Sequence, residues 1–187
     1  MSLYYADTSA VIKLLVEETR SKAFAAFYDG HADDEWVSSA LLRIELTRAV
    51  ARAMPALLPE SRDLLTAFSY IAIDDEIVDG AMSEPDRRLQ SRDAIHLATA
   101  RILAPELEAL VTYDDRLVKA ATDAGLATVS PGMETAWVQP VTAGTSSIYR
   151  ITKPAWVLPR SRNRRVPPGG CGTRRRLRTG GSRQVNM

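Results

Sequence analysis

Residues 1–15 read MSLYYADTSAVIKLL. A short apolar run, residues 3–6, stops at Asp7, Thr8 and Ser9, and a second apolar run starts at once. The first run has the length and aromatic content of a buried strand. Residues 9–16 have helical spacing, with Thr8 or Ser9 as the cap. A strand that turns directly into a helix is the building unit of a parallel α/β sheet. That reading leaves a carboxylate to be explained, placed between two segments that both seek burial.

The same alternation continues outward. Residues 18–28 read as a helix and 35–37 as a short strand. Residues 40–53 form a helical pattern that stops before Pro55, 60–70 a further helix, and 71–73 a strand. Helices follow at about 76–82 and 93–103, then a strand at 110–112, a helix at 115–124 and a last strand at 127–129. Strands alternating with helices predict an α/β fold with a mainly parallel sheet covered on both faces.

Composition bounds the rest. The chain has 187 residues, 45% of them apolar, enough for one domain with a core, with or without a tail. No apolar stretch approaches the roughly 18 residues needed to span a membrane. The N-terminus lacks a basic region and reaches an aspartate at position 7, unlike a signal peptide. The single cysteine, Cys171, forms neither an internal disulfide nor a multi-cysteine zinc site. A cytoplasmic setting is the expectation.

A formal net charge of +1 hides two unlike halves. All 23 acidic residues lie between Asp7 and Glu134, and 11 of the 24 basic ones lie beyond position 138. Residues 1–137 therefore read as the folded domain. Residues 138–187, rich in Arg, Gly and Pro, read as a disordered basic tail. A tail of this kind suits nucleic-acid phosphates. It is also what GC-rich DNA yields when translated in the wrong frame, and that non-native origin is the favoured reading.

Four carboxylates sit where the pattern asks for apolar or capping residues. Asp7 follows the first strand, and Glu45 lies in the helix RIELTRAV (43–50). Asp93 opens the helix RDAIHLATA (92–100), and Asp114 follows the strand in LVTYDDRL (110–117). Taken singly, Asp7, Asp93 and Asp114 are explained as helix caps, and Glu45 as a stripe-edge residue paired with Arg48 or Arg52. Taken together they point elsewhere. In a parallel sheet the C-terminal ends of the strands share one edge, where ligands bind. Carboxylates converging there repel one another unless a cation or a proton joins them. Oxygen ligands with room for water suit Mg²⁺ or Mn²⁺. The remaining inventory is thin: two histidines, His31 and His96, and no G-x-S-x-G, Walker A or G-x-G-x-x-G motif. A metal-activated water is then the most economical nucleophile for hydrolysis.

ADTSAVIKLL, RIELTRAV, RDAIHLATA and LVTYDDRLVKAA, in this order and at these spacings, resemble the PIN-domain ribonucleases, and among them the VapC toxins of bacterial toxin–antitoxin pairs. The resemblance spans residues 3–129. It implies an α/β/α sandwich, Mg²⁺- or Mn²⁺-dependent endonucleolytic cleavage of RNA, and 5′-phosphate and 3′-hydroxyl products. It maps the acidic quartet onto Asp7, Glu45, Asp93 and Asp114, with Asp115 the alternative for the fourth place. Asp7, Asp93 and Asp114 would hold the metal, and Glu45 would position or deprotonate the water. Thr8, Ser9 and Thr112 would orient these ligands. It also implies a VapB-like antitoxin, and a homodimer or a toxin–antitoxin hetero-oligomer.

Other residues rank lower. Arg92 and Arg116 flank the acids as candidate RNA contacts. His96 reads as a packed or surface histidine, and Trp36 and Trp137 as packing residues. Phe24, Phe27, Leu41 and Leu42 offer core or partner surface. Two alternatives stand beside the nuclease. One is a non-catalytic antitoxin- or nucleic-acid-binding module with a degenerate acidic site. The other is a phosphatase with Asp7 as nucleophile, disfavoured because position 9 is serine and the D-x-D start is missing. Either way the acidic domain should repel RNA unless basic patches lie elsewhere on it.

Overall fold

The computed structural model describes residues 1–133. The expected boundary after residue 137, the tail, Trp137 and Cys171 lie outside the described residues. Five strands, β1 (Leu3–Ala6), β2 (Glu35–Ser39), β3 (Ser69–Ile71), β4 (Leu107–Val111) and β5 (Thr128–Val129), form one sheet in the order β3-β2-β1-β4-β5. Every neighbouring pair is parallel. The chain steps outward from β1 through β2 to β3, then returns to the other side of β1 for β4 and β5. The crevice between the C-terminal ends of β1 and β4 is therefore the switch point of the sheet, the place where α/β proteins bind ligands.

The helices are α1 (Thr8–Val11), α2 (Ser21–Gly30), α3 (Leu41–Ala53), α4 (Leu58–Leu65), α5 (Asp75–Met82), α6 (Ser91–Ile102) and α7 (Asp115–Asp123). Strand alternation assigns them to faces. Tyr4, Trp36 and Val111 point to one side and bury with Phe24 of α2 and Leu42, Leu46 and Val50 of α3. Tyr5, Val37 and Leu110 point to the other and bury with Ile77 of α5, Leu97 of α6 and Leu117 of α7. The result is the expected α/β/α sandwich. Each large side chain taken wholly from water contributes about 1.5–3 kcal/mol before entropy is counted. Among the described residues no helix is long and apolar enough to cross a membrane.

The structure corrects several boundaries. The helix expected over 60–70 ends at Leu65, and Ser69–Ile71 is strand, paired as Val37↔Ser69 and Ser39↔Ile71. Leu64, Leu65 and Phe68 have helical spacing, but the β2 ladder captures the last part of the segment. The helix expected from Glu18 starts at Ser21, because Arg20 turns with φ +73° and the Ser21 hydroxyl donates to Val16 O. The first helix is only four residues long and continues as a 3₁₀ turn over Ile12–Leu14. Its cap is neither Thr8 nor Ser9. It is Asp7, whose Oδ1 accepts from the Ala10 N–H at 3.1 Å.

Candidate active site

The cleft at the β1/β4 switch point encloses about 410 Å³ and is lined by Asp7, Glu45, Asp93 and Asp114, with Thr8, Ser9, Arg92 and His96 among them. All four predicted carboxylates thus reach one space, from four different parts of the chain. Asp115 and Arg116 do not line the cleft.

Asp7 is built in from every side. Its backbone extends the sheet by donating to Val111 O at 3.3 Å. Ser9 Oγ donates to Asp7 Oδ1 and Oδ2 (2.8 and 3.0 Å), and Thr112 Oγ1 donates to Oδ2 at 2.9 Å. The same two hydroxyls accept from the next segment: Tyr113 N–H reaches Ser9 Oγ at 2.8 Å and Asp114 N–H reaches Thr112 Oγ1 at 3.1 Å. Ser9 and Thr112 therefore lock the end of β1 to the turn after β4. Thr112 orients the Asp7 side chain and holds the Asp114 backbone. Asp114 Oδ1 caps α7, accepting from Arg116 N–H and Leu117 N–H.

Asp93 stands in the first turn of α6 but does not cap it, since the helix begins at Ser91 with Gln90 before it. The simple capping explanation fails for this residue. Asp93 is 5% exposed, its Oδ1 accepts from Arg92 Nε at 3.3 Å, and its Oδ2 is buried with no hydrogen-bond partner.

Glu45 is not paired with Arg48 or Arg52. Thr8 Oγ1 donates to its Oε2 at 2.5 Å, and His96 Nε2 lies 3.0 Å from the same oxygen. Arg92 Nε is 3.9 Å from Oε1. His96, read from the sequence as a packed or surface histidine, is 2% exposed and lines the site. Its Nδ1 meets the Tyr5 hydroxyl at 2.6 Å, and that hydroxyl accepts from the Ser39 N–H at 3.1 Å. An ionised Glu45 can only accept, so the Nε2–H of His96 is the donor in this contact. The spacing Asp93–His96 carried a sequence signal for this, since residues three apart share a helix face. Tyr5 carried none beyond its place in a buried strand.

The carboxylates are electrostatically unequal. Burial raises Asp7 above the ordinary carboxylate range, although His96, Ser9, Thr112 and the Ala10 N–H oppose it. Burial and the charge of Asp114 raise Asp93. Burial also works against ionised Glu45, but the donors on His96 and Thr8, with the Arg92 charge, hold it below the usual value. One carboxylate is kept ionised and two are held in need of a positive charge, the separation that divides roles in acid–base sites.

Among the described residues no three His, Cys, Asp or Glu side chains are grouped so as to hold a metal ion by themselves. The donor set nonetheless fits a hard divalent cation. It is all oxygen, it includes the unpartnered Asp93 Oδ2, and Mg²⁺ commonly uses one or two carboxylates and fills its remaining positions with water.

The PIN-domain family profile matches residues 4–123. The chain is 42% identical over 133 residues to Ribonuclease VapC35 of Mycobacterium tuberculosis, covering 70% of this chain and 98% of the relative. It is 37% identical over 134 residues to Ribonuclease VapC47 of the same organism, with the same coverage. Among solved structures, a chain of a toxin–antitoxin complex from Klebsiella pneumoniae superposes with a TM-score of 0.51 at 21% identity, over 70% of this chain and 98% of that one. At that identity the likeness speaks for the fold.

Proposed function

The chain belongs to the PIN-domain family, in its VapC branch, and from that membership we propose that it is an Mg²⁺- or Mn²⁺-dependent endoribonuclease acting as the toxin of a toxin–antitoxin pair. The observation that carries the chemistry is the meeting of Asp7, Glu45, Asp93 and Asp114 in one cleft with Asp93 Oδ2 unpartnered. The relatives' names support the RNA substrate. The toxin–antitoxin neighbour accords with a VapB-like partner, and the expected assembly is a homodimer or a hetero-oligomer with it in the cytoplasm.

Asp7, Asp93 and Asp114 would hold the cation, directly or through water. When bound, it supplies Lewis-acid stabilisation of phosphate charge and a more acidic water. Glu45, fixed by Thr8 and His96, takes the proton from the attacking water. The water oxygen bonds to phosphorus, the P–O3′ bond breaks, and the 3′ oxygen takes a proton from solvent. Arg92, half out in solvent beside Asp93 and Glu45, is placed to meet a non-bridging phosphate oxygen. The phosphatase alternative fits poorly, since position 9 is serine and the D-x-D start is missing.

The test is the chemistry of the cut ends. Products of the full chain with Mg²⁺ should carry 5′-phosphate and 3′-hydroxyl groups. Ends with 2′,3′-cyclic phosphate would mean that the ribose hydroxyl attacks and that this reading is wrong. RNA binding with no cutting, by a chain that also arrests no growth on expression, would favour the binding-module alternative.

A further inference from the structure

A second and larger hollow, an open groove of about 890 Å³, lies between α3 and α4 and is floored by Phe68 and Tyr70. Ile44 and Arg48 of α3 line both this groove and the carboxylate cleft, so the two are continuous. The groove carries Arg43, Arg48 and Arg62 and no carboxylate. That is unusual for this domain, whose first 133 residues hold 22 acids against 13 bases. Several other cations are tied to acids, as in Lys13–Glu18, Lys22–Glu17, Arg88–Asp86, Arg101–Glu84 and Lys119–Asp123. Arg43, Arg48 and Arg62 are exposed, and among the described residues none of them makes an ion pair. Arg43 instead sits over the Tyr70 ring, 5.5 Å from its centre.

We infer that Arg43, Arg48 and Arg62 form a track that holds the phosphates of a single-stranded RNA segment leading into the carboxylate cleft. This rests on the ribonuclease reading and adds the path of the substrate. Three guanidiniums outside any ion pair, in a groove lined by no carboxylate, attract a polyanion. A helix row running Ile44, Arg48, Arg52 at four-residue spacing points from the groove to the cleft. The Arg43–Tyr70 pair offers the flat surface on which an unstacked base lies. The track also answers how an acidic domain engages RNA: its repulsion is relieved along one route, and that route ends at the scissile bond.

The test uses the full chain carrying Asp93→Asn, so that binding is read without cleavage, and a fluorescein-labelled single-stranded RNA 20-mer of mixed sequence. Affinity is measured from 50 to 300 mM salt. Adding Arg43→Gln, Arg48→Gln and Arg62→Gln should lower the slope of log K against log salt by about 2, from three phosphates at roughly 0.7 each. The control triple Lys22→Gln, Arg88→Gln and Lys119→Gln removes the same charge and should leave the slope nearly unchanged. In the background with Asp93 intact, the arginine triple should raise KM at least tenfold and spare kcat. An unchanged slope, or equal losses in both triples with Tm preserved, overturns the track. So does loss of binding to a Glu-rich helical 15-mer with the RNA slope intact, which would make the groove a protein-docking surface. If the slope falls as expected but the parent chain cuts no RNA, the track stands and the ribonuclease reading fails. If the chain cuts and the slope is unmoved, the reverse holds.

Discussion

The Tyr5 hydroxyl lies 2.6 Å from His96 Nδ1, deep in the sandwich, and this contact fixes which imidazole nitrogen faces Glu45. Strand β1 and helix α6 thereby set the carboxylate on α3 that is assigned the water. The chain of contacts runs Ser39 N–H, Tyr5, His96, Glu45, with Thr8 closing it from α1.

His96→Leu removes the donor to Glu45 and takes a partner from the buried Tyr5 hydroxyl. Losses of groups that orient a site commonly cost 10–100-fold. We expect kcat for RNA cleavage to fall by roughly that factor with KM little changed. His96→Gln keeps an N–H toward Glu45 and should recover part of the loss. Steady-state kinetics on one defined RNA decide this, and a pure KM effect would contradict it.

Thr112→Val tests the lock between β1 and β4. The wild-type hydroxyl serves Asp7 Oδ2 and the Asp114 N–H at once, in a fully buried position. A valine fills the space and leaves both partners unsatisfied, at a cost of about 1–3 kcal/mol. The melting temperature should fall by roughly 2–10 °C, and cleavage should fall with it. An unchanged Tm would mean that water replaces the hydroxyl at no cost.

Asp114→Asn and Asp115→Asn separate the two candidates for the fourth acid. Asp114 lines the cleft and its charge raises Asp93; Asp115 does not line it. Cleavage should drop by at least about 100-fold in the first variant, the scale of losing a group that acts on transition-state charge, and stay within about twofold in the second. Equal losses would show that the turn after β4 moves in the working enzyme.

Asp7 and Asp93 both bind their protons more tightly in the fold than in the open chain. Such groups stabilise the fold fully below the unfolded carboxylate range and lose that contribution as pH rises through their raised folded values. Metal-free protein should therefore gain Tm in Asp93→Asn at pH 7, with the gain shrinking as pH falls toward 4. Glu45 has the opposite sign and is common to both proteins. Adding Mg²⁺ at pH 7 should raise the Tm of the wild type more than that of the variant. Scanning calorimetry with and without EDTA checks both.

The fold was legible because alternation is written locally. Residues 3–6 form an apolar run and 110–112 a short strand pattern, each ending at a polar turn and followed by a helix; the second strand proves longer, starting at Leu107. Where the sequence misled, tertiary pairing overrode local spacing: residues 66–70 continue a helical pattern, yet Ser69–Ile71 is pulled into the ladder with β2. The acids were legible because a carboxylate in an apolar context is conspicuous. His96 was not, because a histidine on a helix face reads as ordinary packing until the strand beneath it is known to present a hydroxyl. The unpaired arginines were hidden for the same reason. Arg43, Arg48 and Arg62 look like any solvated cations until α3 and α4 are seen to enclose one groove.

The most direct measurement is cleavage of RNA by the full chain with Mg²⁺, with EDTA, with Mg²⁺ restored in excess, and by Asp93→Asn with Mg²⁺. Cutting is expected in the first and third conditions and none in the second and fourth. Cutting that persists in EDTA and in Asp93→Asn would contradict this, because the four carboxylates would then be bystanders to the reaction.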